Sequence, residues 1–149
     1  MRIDAKCSVA VHCLLFLSEY GERQKVTSQL LACSTGCNPV VIRGILSKLK
    51  REGLVTVQTG VGGARLARPP EEITLCQVCM ALDPKAMEKL MGLHPSPSEL
   101  CPVGRNIHGV LEQTYERVRE DMKKSLAAIT LADVRGEYRR ALDREKEKT

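Results

Sequence analysis

Tryptophan is absent from this chain of 149 residues, phenylalanine occurs once and tyrosine three times. A core without aromatic bulk is assembled from Leu, Ile, Val, Ala and Met, a palette that suits helices. No apolar run approaches the roughly 20 residues that a membrane-spanning helix needs. The N-terminal stretch MRIDAKCSVAVHCLLFLSEYGE begins basic and turns apolar. It lacks a small-residue cleavage site, and its apolar residues are spaced as in an amphipathic helix. The expectation is a soluble, cytoplasmic protein without membrane contact. Catalytic signatures are missing too. His12, His94 and His108 have no nucleophile or carboxylate at a recognisable spacing, so no enzymatic activity is expected. His12 is expected in the core or an interface.

Negative charge is scarce in one half. Residues 1–70 hold 10 Lys/Arg against 4 Asp/Glu, and residues 71–149 hold 13 against 14, so the net +5 comes from +6 and −1. A basic N-terminal half calls for an anionic partner.

Glycines concentrate in GVGGARLARPP, residues 60–70. Phosphate-cradling loops are the first thought. A Walker loop needs Lys-Ser or Lys-Thr after its last glycine, and none follows. A dinucleotide fingerprint needs a third glycine where Arg65 stands, inside a βαβ unit that this sequence lacks.

The flanking pattern explains the loop better. Val9, Cys13, Leu14 and Leu17 stripe a first helix over about Asp4–Tyr20, stopped by Gly21. Thr27 or Ser28 caps a short second helix, and Gly36 ends the turn after it. Asn38 is a good N-cap and Pro39 suits the first helical position of a third helix. Ile42, Ile45, Leu46 and Leu49 form its apolar face, and Gly53 stops it. Two helices joined by a tight turn, the second carrying outward cations, make a helix-turn-helix. Leu54, Val55 and Val57, then Ala64, Leu66 and Ala67, make a hairpin around Gly60, Gly62 and Gly63. A helix-turn-helix followed by a hairpin is a winged helix.

A short helix follows over about Thr74–Leu82, then a Pro- and Ser-rich loop. A long helix starts at Pro102 or Val103. Val103, Ile107, Val110, Leu111, Val118, Met122, Leu126 and Ile129 keep a helical stripe for about seven turns. Such a stripe must be buried, and a second copy of the chain is the expected cover. Thr130 caps a last helix with Asp133, which fades into a charged end expected to fray. The fold class is mostly α with a small β-hairpin wing. Residues 1–70 are the DNA-binding region, 71–101 a short helix and sensor-region loop, and 102–149 the dimerisation and C-terminal helices, in one compact domain.

The seven cysteines are odd in number, which argues against a disulfide scaffold. Free buried thiols or a metal or redox site stay open. Cys79 shares a stripe with Leu75, Val78 and Leu82 and is expected to face the core. Cys101 opens the long helix, whose positive end favours thiolate, so it is the candidate redox sensor. Cys33 and Cys37 flank the helix-turn-helix turn and can be oxidised if exposed.

NPVVIRGILSKLKREGLV, TGVGGARLARPPEEITLCQV, CPVGRNIHGVLEQTYERV and TLADV together resemble the Rrf-two (BadM/IscR/NsrR-type) winged-helix transcription regulators, from Met1 to about Val134. The resemblance implies a homodimer with its recognition helix in the major groove of DNA and its wing in the minor groove. It also implies an effector sensed near the loop before the long helix. Cluster-binding members carry three close cysteines in that loop, whereas Pro84–Pro102 here has only Cys101. The chain looks more like the cluster-free YwnA-like branch, so no cofactor is expected, neither an iron–sulfur cluster nor zinc.

The expected function is a repressor that binds a pseudo-palindromic promoter site in double-stranded DNA, relieved by thiol oxidation or a small effector. Asn38, Pro39, Val40 and Arg43 are placed to reach base edges. Ser47, Lys48, Lys50 and Arg51 follow on the same helix, the cations as phosphate contacts or a solvated face. Thr27 and Ser28 offer free N–H groups to a phosphate. Gly62 and Gly63 let the wing approach DNA, with Arg65 or Arg68 meeting phosphate or the narrow groove. The rival readings are a metal- or thiol-based sensor using Cys76, Cys79 and Cys101, and a small-molecule sensor with a pocket between the short and long helices.

Overall fold

A computed structural model of the chain describes residues 5–58, 60 and 63–149. Asp4 and Gly62, both named above, lie outside the described residues. Among the described residues six α-helices and one antiparallel hairpin run in the order α1 (Ala5–Tyr20), α2 (Ser28–Thr35), α3 (Pro39–Arg51), β1 (Val55–Gln58), β2 (Gly63–Leu66), α4 (Leu75–Leu82), α5 (Pro102–Ala127) and α6 (Leu131–Glu147). Short 3-10 turns at Pro70–Glu72 and Glu88–Leu90 were not signalled by the apolar spacing.

Capping chemistry sets the helix starts. Thr27 accepts from the Leu30 amide at 3.1 Å, and Asn38 from the Val40 amide at 2.8 Å with Pro39 at the first helical position. Each such cap contributes about 1 kcal/mol. Thr74 with Gln77, and Thr130 with Asp133, form reciprocal capping boxes. Gly36 ends α2 at φ 72°, a left-handed conformation that glycine adopts without cost.

The core gathers Cys13, Leu14 and Leu17 from α1, Leu31 from α2, Ile42, Ile45, Leu46 and Leu49 from α3, and Val55 and Ala64 from the hairpin. Ile73, Val78 and Leu131 complete it, so one core spans all three expected regions. The junction between α5 and α6 is stitched to the segment before α4. Leu75 donates to the Ile129 carbonyl at 2.9 Å, and Leu131 to the Ile73 carbonyl at 2.7 Å. Ile129 therefore belongs to this junction and not to the long helix. α6 is helical as far as Glu147, through the charged end. Arg139 pairs with Glu19 at 3.0 Å, and Arg135 bonds Ser18 at 3.1 Å, so α1 supports α6.

The cysteines depart from expectation. Cys7 on α1 and Cys79 on α4 are joined in a disulfide, their Cα atoms 5.5 Å apart because the two helices pack side by side. Cys79 does face inward, as its stripe requires. His12 is exposed and so lies outside the core, its Nε2 2.8 Å from Ser34 Oγ on α2. Among the described residues no single helix is long and apolar enough to cross a membrane.

Candidate nucleic-acid interface

A cleft of about 480 Å³ opens between the helix-turn-helix and the wing. The loop before α2 and its first turn supply Lys25, Thr27 and Ser28. One face of α3 supplies Arg43, Ser47 and Lys50, at the i, i+4, i+7 spacing of a single stripe. The wing closes the far side with Val57, Gln58, Gly60 and Gly63. Among the described residues three cations and no acidic side chain line it, a lining that favours an anion.

The wing is pinned at two points. Ala64 donates to the Val26 carbonyl at 2.8 Å, and Lys25 Nζ to the Gly60 carbonyl at 3.0 Å. Gly63 has φ 68°, and a Cβ there would stand 2.6 Å from the Val26 carbonyl oxygen. Its glycine is thus demanded by the hairpin's own seating. Lys25 was not singled out from sequence. It carries no motif, and its place at the wing tip exists only in three dimensions.

Two expected phosphate seekers are turned away from the cleft. Arg68 bonds the main-chain carbonyls of Gly53 at 3.3 Å and Glu52 at 3.2 Å, so it caps the C-terminus of α3. Lys48 Nζ donates to the Leu82 carbonyl at 3.2 Å, toward α4. Arg65 is exposed opposite Thr56, and neither residue lines the cleft. Arg51 is exposed in the last turn of α3. Val40 stands 64% exposed just after the Asn38–Pro39 cap. Gly44, one turn on, has no heavy atom within 4 Å of where a Cβ would sit. A helix-interior glycine of this kind costs about 1 kcal/mol against alanine.

Away from the cleft, no residue of α5 is buried, although it runs for 26 residues. Val103, Val110 and Val118 are exposed, and Ile107, Leu111, Met122 and Leu126 are half-buried. The loop before α5 folds back onto its first turns. His108 Nε2 lies 2.6 Å from the His94 carbonyl, and Gly104 leaves room only for the Ser98 backbone. Cys101 is the exposed N-cap of α5, and its side chain caps nothing.

The profile of the family described as "Rrf2: Iron-dependent Transcriptional regulator" matches residues 3–137. The chain belongs to the Rrf2 family. It is 36% identical over 132 residues to a Bacillus subtilis protein named as an HTH-type transcriptional regulator, YwnA, across 89% of this chain and 96% of that one. A solved structure described as a DNA binding protein is 34% identical and superposes with a TM-score of 0.70, covering 87% of this chain and 97% of its own. A transcriptional regulator from Lactobacillus plantarum gives a TM-score of 0.76 at 27% identity, covering 97% and 99%. The winged-helix Rrf2 architecture inferred from the wing and the Asn-Pro helix start is therefore that of the chain.

The described residues do not group a donor set that fits the iron in the Rrf2 description. Cys79 is bonded to Cys7, Cys76 is half-buried on α4, and the loop before α5 offers Cys101 alone. Among the described residues no three His, Cys, Asp or Glu side chains are grouped to hold a metal. Cys13 is not a reactive thiol either. Burial, then the neighbouring Cys37, pushes its pKa up to about 12.

Proposed function

We propose that this Rrf2 protein is a cytoplasmic, homodimeric repressor that binds a pseudo-palindromic site in double-stranded DNA, and that it has no catalytic role. The observation that carries the reading is the cleft whose described lining holds no acidic side chain, in which Arg43, Ser47 and Lys50 of α3 face Lys25 and the wing. No hydrogen bond or ion pair to a described residue engages Arg43, Lys50 or Arg51, so all three remain available to an anion. Arg43 reads a base edge, Lys25, Lys50 and Arg51 meet phosphates, and Arg65 reaches the duplex from the wing. Lys48 and Arg68 hold the recognition helix from behind. A second copy covers α5 through Val103, Ile107, Val110, Leu111, Val118, Met122 and Leu126, because a stripe of this length is not left in water. Regulation is cluster-free and acts through Cys101 or a small effector at the loop that Cys101 ends. Exposure of that thiol at the start of α5 favours the thiol version.

Fluorescence anisotropy on promoter fragments, from 50 to 200 mM salt, tests the reading. Six or more phosphate contacts predict an affinity loss of about a thousandfold across that range. Absence of saturable, salt-sensitive binding to every fragment rejects it. Arg43→Ala is expected to relax base preference at one position, at about 1–3 kcal/mol.

A further inference from the structure

Gly44 has no internal reason to be glycine. It sits in the middle of α3 with helical backbone, and its missing Cβ would touch nothing in the chain. Gly63 and Gly104 differ, because a Cβ at either would strike backbone. Gly44 therefore weakens the helix without relieving any contact inside the protein. It stands between Val40 and Ser47 on the outward face of α3, at the i, i+4, i+7 spacing of one stripe. Val40 there is 64% exposed, an apolar side chain presented to solvent one turn from the helix start. Arg43 and Lys50 flank the strip on the cleft side.

We propose that Gly44 is the point where α3 lies closest to the floor of the major groove, and that this depth seats Val40 on the 5-methyl group of a thymine. The inference rests on the DNA-binding reading above. Residues near the start of a recognition helix meet base edges. In the major groove the apolar mark on those edges is the thymine methyl, which pairs with side-chain methyls. Any side chain at position 44 would hold the helix off the bases by the width of a methyl group. Each half-site of the operator thus carries an A·T pair facing Val40.

The full-length chain is first used to select its site from a pool of random duplexes. If no sequence is enriched, the DNA-binding reading fails and this inference falls with it. With a selected site in hand, each thymine is replaced singly by deoxyuridine, which removes only the methyl. One replacement per half-site is expected to weaken wild-type binding about fourfold, the worth of one buried methyl. Val40→Ala is expected to lose that sensitivity. Gly44→Ala is expected to melt about 3 °C higher and yet bind the selected site roughly tenfold more weakly. With site-specific binding intact, three results overturn the inference alone. They are indifference of the wild type to every deoxyuridine, undiminished sensitivity in Val40→Ala, and full affinity in Gly44→Ala.

Discussion

Lys48 Nζ on α3 donates to the main-chain carbonyl of Leu82, 3.2 Å away at the end of α4, while Lys50, two residues on, lines the cleft. Helical geometry turns them about 200° apart. The same charge therefore has two different surroundings. Lys50→Ala is expected to weaken every DNA sequence alike and lower the slope of log affinity against log salt by about 1. Lys48→Ala is expected to leave that slope alone and show itself as a lowered melting temperature. Anisotropy titrations at four salt concentrations separate the two, and equal slopes for both variants would contradict the assignment.

The Cys7–Cys79 bond closes a loop with a sequence separation of 72 residues. In the chain-entropy account, a loop of that length contributes about 4 kcal/mol by restricting the unfolded state. Reduction, or Cys79→Ser, is expected to lower the melting point by about 10 °C. Peptide mapping without reductant should find the Cys7 and Cys79 peptides linked. Identical melting curves with and without dithiothreitol would remove the bond from the account of stability.

Cys13 supplies a pH test. Its folded pKa, about 12, lies above the unfolded value near 9.0, so the folded state keeps a proton that the unfolded chain releases. The stabilising contribution is whole below pH 9.0 and is lost as pH rises toward about 12. Urea midpoints should fall over that window, and less steeply in Cys13→Ala. Alkylation of the native protein at pH 8 should mark the exposed Cys33 and Cys101 while sparing Cys13. Comparable labelling of all three would count against the burial argument.

The exposed valines of α5 make pairing testable without DNA. Sedimentation should give about twice the 16.5 kDa chain mass for the wild type. Val110→Glu with Val118→Glu should give the single chain, since two buried carboxylates cost several kcal/mol. A wild type that sediments as one chain at micromolar concentration would refute the pairing.

What could be read from the sequence was local. Asn38 and Pro39 announce α3 because capping depends on two or three neighbouring residues. Thr74, Thr130 and the stripe of α5 are legible for the same reason. The directions of Lys48 and Arg68 were not, because a long cation points wherever the tertiary structure leaves a carbonyl. The pairing of Cys7 with Cys79 was not legible because no periodicity links α1 to α4 across their separation. Lys25 and His12 show the reverse case, ordinary residues whose partners on the wing and on α2 are supplied only by packing.

α4 has eight residues, and it packs against α1, α3 and α5 at once. It sits between the helix proposed to meet DNA and the helix proposed to meet a second copy. In a paired molecule the distance between the two recognition helices is therefore set by how this short rod is wedged. A half-turn of roll in α4 would alter the caliper with which the pair measures the spacing of its half-sites, and no residue touching a base would need to change.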